Sequence, residues 1–486
     1  MPASRTRSAT APVPAPTSGA GRSVCLVSLG CSKNLVDSEV MVGHLGRAGI
    51  TLVTEPEDAR VVIVNTCGFI GEAREESVDT ILRYAALKQR GDIEGLVVTG
   101  CLVELHAKEL SAELPEVDAF LPLSDYSGVP SIVDQVLGVE ADAAGPTGSA
   151  AGRGVAGGAV KQGDSDLGRA LLTPTHTAYL RLGEGCNHVC AFCAIPKIRG
   201  KLKSKPLEVL VEEATALARL GTRELTLIAE DSTDYGKDLR QGYGLADLLA
   251  ALGRVEGIAW VRVMYAHPAT MDERLAQVMA ETPNVLPYID MPVQHGDETV
   301  LKRMRRGTSP ARIRRAVGWL RDAMPDITLR TTILVGFPGE TERRFGHLLE
   351  LLDELRFDRV GCFAFSPEEG TEGHGLGGRV PRKTAEARRR KVMDLQRRRM
   401  VAAQKARVGQ VETVLVDAVE GDAALGRTRR DAPEVDGRVL LSLPARPAGR
   451  GARRGGKRGL VLPGDFVDVR MTGVKGYDLT GTLARP

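Results

Sequence analysis

The chain has 486 residues, of which 43% are hydrophobic and 26% charged, proportions that exclude a fibrous or wholly disordered protein and suit two or three folded domains. Its 65 basic and 62 acidic residues leave a net charge of +3, which excludes a nucleic-acid binder acting through the whole surface. No stretch approaches the roughly 20 apolar residues of a membrane-spanning helix, so no membrane partner is expected.

Residues 1–22, rich in Ala, Pro and Ser with three arginines but no continuous apolar core, read as a disordered tail and not a signal peptide. A cytoplasmic location is expected. From Val24 the order is strand, turn, helix, repeated through VCLVSLG, VVIVNTC and GLVVTGC, with a helical stretch from Asp37 to Ala48. That alternation predicts an α/β first domain over 23–140, with a parallel sheet and crossover helices. Cys31, Cys67 and Cys101 each end or follow one predicted strand, at the edge where open parallel sheets build their sites. Residues 141–170 are rich in Gly, Ala and Ser and read as a linker. From Thr177 six strands, AYLRLGEG, ELTLIAED, WVRVMY, YIDMPVQ, ITLRTTILVGF and RVGCFAFS, alternate with helical stretches. They predict a partial TIM-type (β/α) barrel over 171–404. The arginine-rich segment 379–407 has helical spacing and leads to a last domain, 405–486, whose segments VETVLVD, RVLLSL, FVDVRMT and DLTGTLA suit a small β-barrel. Over 401–486 there are 15 basic and 10 acidic residues, and six of the 15 fall in the Arg/Gly loop Arg446–Arg458, so the rest is nearly neutral.

The strongest local signal is Cys186-Asn-His-Val-Cys190-Ala-Phe-Cys193, a C-x3-C-x2-C spacing on a loop after a predicted strand. Eight cysteines in a chain not expected to be exported favour metal or redox chemistry over disulfides. Soft thiolates at short spacing select zinc or iron-sulfur clusters. Zinc asks for a fourth ligand, for which His188 is the nearby candidate. A cubane held by three cysteines leaves one iron open. Cys25 and Cys362 stand outside both sets and are assigned to packing.

C-x3-C-x2-C after the first strand of a barrel resembles the radical S-adenosylmethionine superfamily. SLGCSKNLVDSE, VNTCGFI and VVTGCLVE resemble, in order and context, the N-terminal domain of its methylthiotransferase family, and the resemblance runs from about Ser23 to the C-terminus. It implies two 4Fe-4S clusters, one on Cys186, Cys190 and Cys193 that binds S-adenosylmethionine, and an auxiliary one on Cys31, Cys67 and Cys101. It also implies a C-terminal TRAM barrel, and S-adenosylmethionine contacts from Phe192, Glu230 and Gly336, with Asp231 beside Glu230. No catalytic residue beyond the cluster ligands is assigned, and His267 and His295 are expected to be satisfied polar residues. Transfer-RNA enzymes of the family have Gln-Met-Asn where this chain has Ser32-Lys33-Asn34. With EGCNHVCAFCAIPKIRGK, MPVQHG, TTILVGFPGET, SPEEGT and GRTRRDAPEVDG, this segment resembles the ribosomal-protein branch. The implied reaction is methylthiolation of an aspartate β-carbon in small-subunit ribosomal protein S-twelve. One S-adenosylmethionine methylates a sulfur and a second is cleaved to a radical that abstracts hydrogen. A sulfur donor and a small electron-donor protein, a flavodoxin or ferredoxin, are the further expected partners. The alternatives are a transfer-RNA methylthiotransferase, a non-catalytic iron-sulfur redox protein and a zinc-stabilised scaffold.

Overall fold

A computed structural model describes residues 21–123, 126–139, 165–443 and 461–484. The expected tail up to residue 20, most of the Gly/Ala-rich stretch and the Arg/Gly loop lie outside the described residues.

The first domain is a parallel sheet of β1 (Ser23–Ser28), β2 (Thr51–Leu52), β3 (Val61–Thr66), β4 (Gly95–Gly100) and β5 (Ala119–Leu121), in the order β2-β1-β3-β4-β5. Every residue of β3 and β4 is buried, as expected of central parallel strands covered on both faces. Val62, Val64, Leu96 and Val98 join Ile81, Tyr84 and Leu102 on one face, while Val61, Ile63 and Val97 join Met41, Leu45 and Val133 on the other. Alternate side chains thus feed two half-cores. The helix expected from Asp37 begins earlier and spans Ser32–Arg47. Its polar first turn conceals it in the sequence, because Lys33 and Asn34 are residues of surface type and yet are buried.

The second domain contains β6 (Thr177–Arg181), a two-stranded ribbon of β7 (Gly183–Glu184) and β8 (Lys203–Ser204), then β9 (Glu224–Ile228), β10 (Trp260–Val263), β11 (Val285–Asp290), β12 (Thr328–Val335) and β13 (Arg359–Ala364). Six of these form one parallel sheet, β13-β12-β11-β10-β9-β6. Its two edge strands are not paired with each other, so the (β/α) barrel is partial. Helices Leu207–Arg219, Leu245–Leu252, Glu273–Glu281, Pro310–Ala323 and Glu342–Leu355 cover it, and their apolar faces meet the strands in one large core. Asp272, Ser309 and Thr341 each accept a backbone N–H three residues on, capping three of those helices. The arginine-rich segment forms one helix, Arg382–Arg407, with Ala385, Arg388, Val392, Gln396, Met400 and Gln404 buried along one stripe.

The last domain is a closed barrel of β14 (Val411–Glu420), β15 (Ala423–Thr428), β16 (Val439–Ser442), β17 (Phe466–Lys475) and β18 (Asp478–Leu483). Strand β15, AALGRT, has no alternating apolar pattern to announce it and is absent from the sequence reading. The barrel docks on the second domain through buried ions. Glu224 on β9 receives Arg262 Nε at 2.9 Å and the guanidinium of Arg427, which also holds Asp417 at 2.8 Å. Arg359 reaches Asp431 at 2.7 Å, and the Tyr288 hydroxyl donates to Asp436 at 2.6 Å. Among the described residues no helix is long and apolar enough to cross a membrane.

Candidate functional site

The three cysteines of the first domain sit at the C-terminal ends of neighbouring strands. Cys67 follows β3 directly and Cys101 follows β4 directly, while Cys31 lies just beyond β1 and precedes helix Ser32–Arg47. The register pairs Ser28 with Asn65 and Thr66 with Gly100, which levels these strand ends. The sheet order reverses between β1 and β3, so the set occupies the crevice that parallel sheets open at such a switch point. Gly68 brings the segments closer than a side chain would allow: a Cβ there would lie 2.8 Å from the N and Cα of Leu102 and 2.9 Å from the carbonyl carbon of Cys101. Burial pushes the Cys101 thiol up to about 12 against the nearby charge of Arg199, and burial also raises Cys67. The turn before Cys31 approaches Cys67 closely, since a Cβ on Gly30 would lie 3.0 Å from the Cys67 sulfur. Cys101 donates to Asn34 Oδ1 at 3.3 Å, and Arg199 stands 3.8 Å from its sulfur.

The second cysteine set occupies the loop between β7 and the short helix Ile195–Ile198. Cys186 N is held by the Gly200 carbonyl at 3.1 Å, Cys193 N by the Cys190 carbonyl at 3.0 Å, and the His188 N–H donates to Cys186 Sγ at 3.4 Å. Arg306 donates to Cys190 Sγ at 3.6 Å. Burial pushes both Cys186 and Cys193 up to about 12. All eight cysteines are free. Cys31 is exposed, while Cys67, Cys101, Cys186, Cys190 and Cys193 are partly or fully buried, and buried thiols are costly to ionise unless a cation compensates them. The donor set therefore fits thiolate ligation of iron-sulfur clusters with an open iron. The His188 ring is turned to Asp231, 2.6 Å away, and stacks on His267 with ring centroids 4.1 Å apart. These three side chains hold potential metal-ligand atoms within 4.8 Å of one another. Burial and the charge of Arg306 push His267 down to about 2.

Between the two thiol sets lies Glu230. Its carboxylate is 3.6 Å from Lys33 Nζ and 3.7 Å from Arg199 Nε, and its Oε1 is buried without a hydrogen-bond partner. Cys186 and Cys193 both feel its charge. Arg199 joins the two domains, donating to Glu184 at 2.9 Å on one side and to Asn34 at 2.9 Å and Asp37 at 2.7 Å on the other. Arg181 binds Asp37, Glu184 and Asp166, and Lys205 reaches Asp166 at 2.7 Å. Asp166 belongs to the stretch read as a linker, yet its side chain and that of Arg169 are buried in this network. Of the junction residues, Lys33 entered the sequence reading through the Ser32-Lys33-Asn34 segment, with no role assigned, and Arg199, Arg181 and Tyr265 were not singled out. The only local signal was that Lys33 follows Cys31 by two positions and Arg199 follows Cys193 by six.

The remaining candidates divide. Phe192 points its ring edge-on at Phe337, 6.4 Å away, within an apolar cluster. Gly336 has φ +78°, and a Cβ there would lie 2.4 Å from Ala385 Cβ, so close packing of helix Arg382–Arg407 already demands glycine. Asp231 also accepts from the Thr233 N–H at 2.9 Å. His295 is fully buried, accepting from Asp297 N at 2.9 Å and facing Glu340 at 3.4 Å. Cys25 and Cys362 are buried in the hydrophobic cores of the first and second domains.

Comparison with known proteins gives three matched regions: the uncharacterized protein family UPF0004 over residues 23–122, the radical SAM superfamily over 180–352 and the TRAM domain over 408–483. A protein of an Anaeromyxobacter species named ribosomal protein uS12 methylthiotransferase RimO is 42% identical over 467 residues, covering 94% of this chain and 92% of the relative. One of the same name from Clostridioides difficile is 38% identical, covering 95% and 98%. Among solved structures, the radical S-adenosylmethionine methyltransferase TsrM from Kitasatospora setae overlays with a TM-score of 0.51 at 14% identity, covering 70% of this chain and 73% of that one. This likeness speaks for the fold alone.

Proposed function

The chain belongs to the RimO methylthiotransferase family of the radical SAM superfamily, and from that membership we propose that it attaches a methylthio group to the β-carbon of an aspartate in ribosomal protein uS12. The observation that carries this reading is the pairing of two three-thiol sets across one buried ionic junction, in a chain whose relatives match it over almost its whole length. Radical SAM membership implies a 4Fe-4S cluster and S-adenosylmethionine, and we assign that cluster to Cys186, Cys190 and Cys193. Cys31, Cys67 and Cys101 are assigned a second, auxiliary cluster. When bound, the first cluster supplies the electron that cleaves S-adenosylmethionine to a 5'-deoxyadenosyl radical, the species needed to break an unactivated C–H bond.

The protein's own residues perform the rest by position. The loop hydrogen bonds at Cys186 and Cys193 fix two of the three thiols, and Arg306 offers the third a charged donor. Glu230, with a buried oxygen that has no hydrogen-bond partner, is assigned to accept from the amino group of S-adenosylmethionine, with Phe192 and Gly336 assigned to the adenine end. Arg199 locks the first domain to the second, so that a sulfur carried on the auxiliary side stays a constant distance from the radical. The TRAM barrel, nearly neutral outside its Arg/Gly loop, is assigned to docking the ribosomal protein. A sulfur donor and a small flavodoxin-like or ferredoxin-like reductant complete the proposal, with action in the cytoplasm, where ribosomal proteins are met.

The test is mass spectrometry of uS12 after anaerobic incubation with reconstituted protein, S-adenosylmethionine, sulfide and reductant, beside a Cys186→Ala control. A methylthio increment on one aspartate that the control lacks is the expected result. Release of 5'-deoxyadenosine with unmodified uS12 would retain the radical chemistry and move the search to transfer RNA.

A further inference from the structure

Lys33 is the cation of the inter-domain junction whose donors are unspent. It lies in the first turn of helix Ser32–Arg47, two residues after Cys31, and is 7% exposed. Its ammonium is 3.6 Å from Glu230 Oε2 and 3.6 Å from the centroid of the Tyr265 ring. Among the described residues it makes no hydrogen bond, although an ammonium carries three donors. Its charge is balanced by Glu230 and the Tyr265 ring, so what is left open is the hydrogen-bonding capacity of the ammonium and not its charge. The neighbouring cations differ. Arg199 donates to Glu184, Asn34, and Asp37 at 2.7–2.9 Å, and Arg181 is held by three carboxylates. Arg306 spends its terminal nitrogens on the Pro292 carbonyl and Cys190.

A second observation concerns the platform beneath it. Tyr265 holds φ +59°, a left-handed conformation that is unfavourable for a bulky side chain and persists only where the surroundings impose it. Its hydroxyl lies 3.4 Å from Ser32 Oγ, and its backbone N–H reaches Asp290. The strained backbone thus sets an aromatic face under the ammonium, stabilising its charge while leaving its N–H groups unengaged. Lys33 springs from the Cys31 side of the junction and reaches toward the Cys186 side through Glu230.

We propose that Lys33 receives the side-chain carboxylate of the substrate aspartate and so determines that the residue modified is an acidic one. The inference rests on the uS12 reading above. In aspartate the carboxylate is bonded directly to the carbon that loses hydrogen. Holding that group fixes the reacting carbon one bond away, between the two thiol sets. Two carboxylate oxygens supply the acceptors that the ammonium lacks, and a charge-assisted hydrogen bond formed away from water is strong and directional. A substrate with no anion at the reacting carbon would leave those N–H groups without a charged acceptor, which is a selection against it.

The experiment measures binding of uS12, and of its variant with the target Asp→Asn, to the reconstituted full-length protein. It compares the natural sequence with Lys33→Met and Lys33→Arg, recording iron content and S-adenosylmethionine affinity on the same samples. The natural protein is expected to prefer the aspartate form by about ten-fold or more. Lys33→Met should abolish that preference with S-adenosylmethionine affinity held within about two-fold, and Lys33→Arg should restore part of it. A preference that survives in Lys33→Met overturns the inference. So does a loss of S-adenosylmethionine affinity at unchanged preference, which would assign Lys33 to the carboxylate of the cosubstrate. If the natural protein binds neither form, the uS12 reading fails, and the inference fails with it.

Discussion

Replacing Gly68 with alanine tests whether the geometry of the first-domain thiols depends on close backbone approach. The added Cβ would lie 2.8 Å from the N and Cα of Leu102 and 2.9 Å from the carbonyl carbon of Cys101, about 0.6 Å short of ordinary contact. None of these is the end of a flexible side chain. The strand-end segments carrying Cys67 and Cys101 must therefore separate by a few tenths of an ångström. Overpacking of this kind costs about 1–3 kcal/mol. Metal-ligand distances tolerate only about 0.2 Å, so the effect on cluster binding should exceed the effect on folding. After anaerobic reconstitution, iron per chain should fall by about half, the share of one of two cubane clusters. Cleavage of S-adenosylmethionine to 5'-deoxyadenosine, assigned to Cys186, Cys190 and Cys193, should persist. Full iron content with unchanged stability would refute the reasoning. Loss of all iron together with cleavage would show that the two sets cannot be perturbed separately.

Two further predictions concern the docked barrel. Trp260 packs edge-on against Phe466 of β17 with centroids 4.9 Å apart, so its fluorescence, in a Trp319→Phe background, reports docking directly. Arg427→Met removes the cation shared by Glu224 and Asp417. Glu224 keeps Arg262 and Asp417 keeps His176 at 3.1 Å. Breaking a buried pair costs about 3–5 kcal/mol, and these remaining partners place the loss near about 3 kcal/mol in urea titration; a loss below about 1 kcal/mol would contradict it. The second prediction is acid release. Burial alone would raise Asp417 and Asp431, but Arg427 and Arg359 respectively hold both below the usual carboxylate range. A carboxyl depressed in the folded state contributes stability above its unfolded pKa of about 4 and loses it as pH falls through the folded value. Docking should therefore be constant from about pH 5 to 7 and weaken only below about pH 4; undocking near pH 6 would assign it to other groups.

Much of the architecture could be read from residue order, because parallel strands buried on both faces produce short apolar runs that stand out from amphipathic helices. VVIVNT and GLVVTG announce β3 and β4 in this way, and the regular recurrence of six such runs announces the second sheet. Cysteines at the ends of successive parallel strands must share one edge, so the possibility of convergence at Cys31, Cys67 and Cys101 followed from topology. Strand β15 escaped because a barrel strand of Ala, Gly, Thr and Arg owes its conformation to neighbours and not to its own propensity.

The ionic junction was beyond the reach of sequence for a different reason. Lys33, Arg181, Arg199 and Glu230 are separated by as many as 197 positions; the family resemblance marked Glu230 and the segment holding Lys33, but no residue pattern showed that the four meet. Nothing local distinguishes a charged side chain destined for water from one that a second domain will cover. Local spacing could identify the C-x3-C-x2-C thiol set, because its cysteines lie on one loop and their chemistry is fixed by residue type. Only the tertiary structure could decide which charges are buried, which of them balance, and that Lys33 is left with donors to offer, since desolvation is a property of the packed whole.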